Sequence, residues 1–341
     1  MHKFAIAIVV GLFASIMTIG TANAGETLDA IKARGVLTCG VNTGLAGFAQ
    51  PDSQGVWTGL DVDTCKAVAA ALLGGADKTK FVPLNAQQRF PALQSGEIDV
   101  LTRNTTVTLT RDSSAGFNFA PVTYYDGQGF MVKKSLGVNR AEELAGATIC
   151  VQQGTTTELN LADYFRANEI ELKPLVFVEL AEAEQAFFAD RCDAYTTDAS
   201  GLASTRAAKA GNPDDYAILP EIISKEPLAP AVRHGDDAFY DIVKWTIYAL
   251  IEAEERGVTQ ANVLDLKASQ DPNIMRLLGT TPGMGEALGL DPEWALRAIK
   301  AVGNYGEIFE RNVGTGSPLK LERGLNALWT DGGLIYAPPI R

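Results

Sequence analysis

"EIDVLTRNTTVTLTR" (97–111) joins a short apolar run, Ile98 to Leu101, to threonines and one asparagine held between Arg103 and Arg111. The apolar run reads as a buried strand, and the polar segment leaves its C-terminal end. In open α/β sheets, ligands bind in the loops beyond that end of the strands. Asn104, Thr105 and Thr106 offer short neutral donors and acceptors there, and Arg111 offers a planar fork matched to a carboxylate. By itself the same stretch is equally a solvated polar turn with Arg111 on the surface.

Strand and helix signals alternate on either side of it. "VLTCGV" (36–41) reads as a buried strand. "DVDTCKAVAAALLGG" (61–75) puts Val62, Cys65, Val68, Ala69, Leu72 and Leu73 on one helical face, with Asp61 as a candidate cap and glycine at the stop. "FVPL", the short helix "RFPALQSGE" and the strand 98–101 complete a βαβαβ order, which implies a mostly parallel sheet covered on both faces. The order recurs in "ATICV" (147–151), a helix over 155–168, "LVFV", a helix over 180–191 and "DAY" (193–195). Superposing Asp99 on Asp193 pairs Asn104 with Asp198, so two matching lobes would present these residues to each other.

The first 24 residues have the form of a secretory leader: Lys3, an apolar segment from Phe4 to Met17, and the small-x-small site Ala22–Asn23–Ala24. Cleavage is expected after Ala24, which sends the chain to the periplasm. Residue 25 is glycine, so no lipid-anchored cysteine is expected, and no later apolar run reaches the ~18 residues of a spanning helix. The full chain carries 29 basic and 41 acidic residues, a net charge of −12, and loss of the leader with its single lysine leaves −13. That balance argues against nucleic acid and anionic lipid as partners. The length left after cleavage suffices for two domains.

Cys39, Cys65, Cys150 and Cys192 fall as two distant pairs. An oxidising compartment favours bridges over thiols. Of three connectivities, Cys39–Cys65 with Cys150–Cys192 is favoured, because each then ties a strand to a neighbour within one domain. Without any CxxC spacing, and with His234 the single histidine beyond the leader, zinc and histidine-based nucleophilic triads are disfavoured. Neither a metal nor a cofactor is expected.

Two further constellations bear on ligands. "QQGTTTE" (152–158) follows a strand and opens a helix; Thr155 and Glu158 have capping-box spacing, and free amides at such a start attract anions. Capping alone would also explain it. In "TTDAS" (196–200), Asp198 stands at a strand tip, placed to accept from an ammonium or to cap the next helix. Arginine and a helix start for a carboxylate, an aspartate for an ammonium and hydroxyls for the rest together suit an amino-acid zwitterion.

The ordered series "GVLTCGVNTGLAGF", "GVWTGLDVDTCKAVAAALLG", "LQSGEIDVLTRNTTVTLTR", "FNFAPVTYY" and "VQQGTTTE" resembles the polar amino-acid solute-binding proteins of ABC importers, family 3 of the solute-binding proteins. Within them it is most similar to the general L-amino-acid-binding periplasmic proteins, over nearly all of the chain after the leader. The resemblance implies a type II clamshell, an α/β fold of two lobes joined by two crossover strands. It makes Arg111 the clamp on the α-carboxylate, helped by Thr106 and the Thr156 amide. Asn104 and Asp198 then flank the α-ammonium, Phe48 forms an aromatic wall against the ligand side chain, and Arg89 matches an arginine that acidic-amino-acid binders place on a side-chain carboxylate. Alanine at 86, where relatives carry an aromatic, implies a roomier pocket; Arg103 stands where small residues are usual.

The expected organisation is lobe 1 from 25–126 and 231–341, including a C-terminal extension, and lobe 2 from 127–230. The expected function is capture of free L-amino acids by a monomer and delivery to an inner-membrane ABC permease. Narrower selection of glutamate, glutamine, aspartate and asparagine, a dehydratase-type enzyme using Glu158 or Asp198, and a module reporting to a sensor are the alternatives.

Overall fold

The computed structural model describes residues 25–341; the leader expected over 1–24 lies outside the described residues. Strand Leu37–Asn42 is buried at every position and runs parallel to Thr79–Leu84 on one side and Val100–Leu101 on the other. A strand covered on both faces needs an apolar run without alternation, and "LTCGVN" supplies it. Ala231–Arg233 and Phe117–Phe119 then extend the sheet antiparallel.

A second sheet repeats the plan in the order Lys173–Phe177, Thr148–Gln152, Ala194–Asp198, Gln128–Lys133, Tyr216–Ile218. Its first three strands are parallel, and Gln128–Lys133 is antiparallel to both of its neighbours. Both sheets are therefore mixed rather than mostly parallel, because each takes in strands of the returning chain. The pairing of Asp99 with Asp193 corresponds to one local geometry used twice. Asp99 donates its N–H to the Thr38 carbonyl at 2.8 Å and accepts the Thr38 N–H on Oδ2 at 2.7 Å; Asp193 makes the same two bonds to Thr148 at 2.8 and 2.7 Å.

Helix Leu60–Leu73 packs on the first sheet and stops at Gly74, which takes the left-handed conformation that glycine tolerates. Asp61 does not cap it: the N-cap is Gly59, and the Asp61 carboxylate accepts the Asn104 N–H at 2.8 Å instead. Asp236 does cap Asp237–Glu255, accepting from Phe239. The single helix expected over 291–314 is two, Trp294–Val302 and Tyr305–Asn312, because Gly303 (φ 81°) breaks the chain and Asn304 with Glu307 forms a capping box that starts the second. The stripe of Ala295, Ile299, Val302, Tyr305 and Phe309 is buried as its spacing requires.

This C-terminal segment belongs to the first core. Arg297 donates to the carbonyls of Ala70 and Ala71 at 3.1 and 3.0 Å. The final short helix expected here is two 3-10 turns, Gly324–Asn326 and Trp329–Asp331. Asn326 accepts the Tyr125 N–H at 2.6 Å and donates to the Tyr125 carbonyl at 3.1 Å. Tyr125 lies in Tyr124–Asp126, which pairs antiparallel with Glu226–Leu228; these two strands carry the chain between the sheets.

Cys39 is bonded to Cys65 and Cys150 to Cys192, the connectivity favoured from sequence. The pairs are separated by 26 and 42 residues. Closing loops of that size removes entropy from the unfolded chain, so replacing either pair by alanines is expected to cost about 3–4 kcal/mol. Urea titration of each double variant measures it; unchanged unfolding free energy would mean the bridges carry no such constraint.

Candidate functional site

The polar segment of the opening stretch is sewn to the returning crossing. Thr106 bridges Leu228, the Val107 N–H donates to the Pro227 carbonyl at 2.8 Å, and the Ala229 N–H donates to the Thr105 carbonyl at 3.0 Å. These bonds hold 103–106 at the junction of the lobes. Asn104 sits at φ 22°, a conformation uncommon outside glycine. Its amide is held by Asp61, and its side-chain oxygen accepts from Asn42 at 3.0 Å.

A cavity opens there between the lobes, with about 480 Å³ not filled by protein atoms, part of it open to solvent. From the first lobe Asn42, Leu45, Arg89, Arg103, Asn104 and Thr106 line it; from the second come Gln152, Thr155, Thr156, Thr157, Leu180, Tyr195, Thr197, Asp198 and Gly201. Six residues expected at a site, Arg89, Asn104, Thr106, Thr155, Thr156 and Asp198, therefore share one cavity. The lobes also touch directly: Ser204 Oγ donates to the Ala46 carbonyl at 2.9 Å, Asn85 to Glu179 at 2.7 Å and Arg89 to the Gly154 carbonyl at 3.4 Å. Gly154, at φ 75°, is met by Gln87 of the opposite lobe, where a Cβ would approach Cγ to 3.0 Å.

Two expected residues stand elsewhere. Arg111 borders the cavity without lining it. Its Nη1 donates to the Thr106 carbonyl at 2.8 Å, and its guanidinium lies 5.2 Å from the Phe90 ring centroid, with Arg89 5.0 Å from the same ring. Phe48, expected as the wall against the ligand, is wholly buried, edge-on to Tyr124 with centroids 5.3 Å apart. Core burial claims its ring, and Leu45 of the same turn faces the cavity instead.

Helix Thr156–Ala167 begins as its spacing predicts, with Thr155 Oγ1 accepting the Glu158 N–H at 3.1 Å. Glu158 reaches back one residue farther than a capping box, to the Gly154 N–H at 2.8 Å. Asp198 precedes helix Ala199–Lys209 but makes no side-chain cap bond, which leaves its carboxylate to the cavity.

Sequence reading missed Glu226. Buried at 1 % exposure, it accepts from Thr106 Oγ1 at 2.5 Å, Thr156 Oγ1 at 2.8 Å, Asn160 at 2.7 Å and Ser224 at 2.7 Å. It thus joins the hydroxyls of both lobes. The only trace in sequence is a lone acid in the proline-marked stretch "KEPLAP" (225–230). Asp126, its partner across the paired crossings, was missed too; it accepts from the Ser200 hydroxyl and from the Gly127 N–H at 2.9 Å.

Charges of both signs crowd this volume. Burial pushes the Asp198 carboxyl well above the ordinary range, reinforced by Asp126 and Glu226 and opposed by Arg89 and Arg111. Burial likewise raises Asp126 to about 6 and Asp61 to about 7. Desolvation lowers Arg89, with Arg103 and Arg111 adding like-charge repulsion. Such a site offers guanidinium and hydroxyl donors to an anion and carboxylate acceptors to a cation.

The model of the bacterial extracellular solute-binding proteins, family 3, matches residues 37–261. The chain is 61% identical over 331 residues to the general L-amino acid-binding periplasmic protein AapJ of Rhizobium johnstonii, covering 96% of this chain and 97% of that one. It is 58% identical over 332 residues to the glutamate/glutamine/aspartate/asparagine-binding protein BztA of Rhodobacter capsulatus, covering 97% and 98%. A periplasmic binding protein of an ABC transporter from Brucella ovis, solved with glutathione bound, superposes with a TM-score of 0.90 at 59% identity, covering 92% of this chain and 99% of that one. With two lobes, two crossings and a polar cavity between them, the chain belongs to family 3 of the bacterial extracellular solute-binding proteins.

Proposed function

We propose that this protein captures free L-amino acids in the periplasm and delivers them to the permease of an ABC importer. The observation that carries the reading is the convergence of an anion-binding set and a cation-binding set, from different sheets, on one cavity. Arg111, Thr106 and the start of the helix at Thr156 grip the α-carboxylate, with Thr155 ordering that start. Asn104 and Asp198 take the α-ammonium. Phe48 acts from behind, backing the turn that presents Leu45. Arg89 faces the ligand side chain, which favours the narrower range of glutamate, glutamine, aspartate and asparagine as a second reading. The ligands named for the AapJ and BztA relatives agree with this head-group scheme, and glutathione, held by the Brucella protein, carries the same α-amino-acid head.

In this reading the leader is removed after Ala24, the mature chain acts as a monomer, lobe 1 is 25–126 with 231–341, and lobe 2 is 127–230. Ligand bound to one lobe is sealed when the other closes on it, and the permease recognises the closed form. Micromolar affinity needs about 8 kcal/mol, within reach of a few charge-assisted contacts in a dry cleft. A dehydratase role is disfavoured because Glu158 is engaged at the helix start and Asp198 serves the ammonium.

Replacing Arg111 by methionine is expected to weaken binding of every amino acid by roughly 30-fold or more, since a buried carboxylate loses its counter-charge. Titration calorimetry across several amino acids checks this; undiminished binding would overturn the clamp. Proton release gives an independent test. In the empty cleft, the Asp198 and Asp126 pair holds protons above the ordinary carboxylate range. An arriving ammonium favours the ionised form and expels a proton, so affinity falls as pH is lowered. At about pH 6, the binding enthalpy is expected to depend on buffer ionisation enthalpy in the sense of proton release; identical enthalpies in two buffers would exclude the ammonium from that pair.

A further inference from the structure

Arg103 follows strand Val100–Leu101 and is 2 % exposed, yet it lines the cavity. Its Nε donates to the Leu84 carbonyl at 2.8 Å, which anchors the guanidinium plane. Among the described residues, its two terminal nitrogens make no hydrogen bond, and no carboxylate is ion-paired with Arg89, Arg103 or Arg111. The buried Nε of Arg89 is likewise without a partner. A guanidinium buried without a counter-charge is far costlier than one that is paired.

Asp61 is the first of the carboxylates acting on Arg103, with Asp198 and Glu179 adding to it and Arg111 opposing. Asp61 is committed to the Asn104 amide and, pushed up to about 7 by burial, is only partly ionised at neutral pH. Recognition of the α-carboxylate and α-ammonium uses neither terminal nitrogen of Arg103. These donors face a cavity in a protein of net charge −12, whose overall field repels anions. Local positive charge aimed into the cleft thus opposes the charge of the whole.

We infer that Arg103, beside Arg89, grips a second carboxylate on the ligand side chain, so that the cleft selects dicarboxylic amino acids over their amides. The inference rests on the amino-acid reading and narrows it. A side-chain amide presents an N–H₂ group to a site made of donors and leaves the guanidinium charge uncompensated; a carboxylate accepts two parallel bonds from the fork. Arg103 is in this sense a specificity residue: its loss removes discrimination while head-group recognition persists.

Calorimetric titration of the full mature protein with glutamate and glutamine tests this, using wild type, Arg103→Met and Arg103→Lys, each checked for an intact thermal transition. Wild type is expected to bind glutamate more tightly than glutamine. Arg103→Met is expected to lose roughly 30-fold or more in glutamate affinity and less than about threefold in glutamine affinity. Arg103→Lys keeps the charge without the fork, so part of the glutamate preference is expected to remain. Equal losses for both ligands, or a wild type indifferent between them, overturns the inference while leaving amino-acid binding standing. Should the methionine variant fail to fold, the lysine variant decides: a retained preference supports the inference, and a proportionate loss of both ligands overturns it. Wild-type protein that binds no amino acid overturns the wider reading and this one together.

Discussion

The junction of the lobes depends on one buried carboxylate. Glu226 lies on a crossing strand and collects hydrogen bonds from Thr106 of the first lobe and from Thr156 and Asn160 of the second. A charge buried this completely is tolerable only where its oxygens are saturated with donors. The same hydroxyls are the ones assigned to the ligand carboxylate. Glu226 therefore sets the position and polarity of the groups that a substrate must meet, and it links the relative placement of the lobes to the state of the site.

Around that junction the cleft is built from opposed charges that are seldom directly paired. Arg89, Arg103 and Arg111 stand near Asp61, Asp126, Asp198 and Glu226, yet the donors satisfying these acids are mostly hydroxyls and backbone amides. Preformed ion pairs would have to be broken before a zwitterion could bind. Hydroxyls and amides exchange partners more cheaply, because the net worth of such a bond is about 1 kcal/mol where an ionic one is larger. The arrangement keeps the field of the charges available for the ligand.

Much of this was legible in the chain. Apolar runs at 36–41, 98–101 and 147–151 located the strands, glycines marked helix ends, and the repeat of Asp99 in Asp193 foretold a shared geometry because the same pair of bonds to a threonine backbone anchors both. Cysteine placement gave the bridges. Helix caps were less legible: Asp61 looks like a cap but turns inward, since a carboxylate beside two helix-start positions satisfies whichever amide tertiary packing delivers. Phe48 failed as a wall for a related reason, as an aromatic ring near a core gains more from full burial than from half of it. Glu226 and Asp126 left no periodic signal; their role arises from two strands more than 90 residues apart meeting side by side, which no local pattern encodes.

Asn326 grips both backbone groups of Tyr125 and so staples one crossing to the C-terminal segment. A strand held in this way does not flex along its whole length. Bending must concentrate on the free side of the staple, near Gly127 and Ser224, making the swing of the second lobe shorter-armed than a chain without the extra segment would allow. The added C-terminal residues thereby act as a splint, trading amplitude of opening for a more reproducible path back to closure.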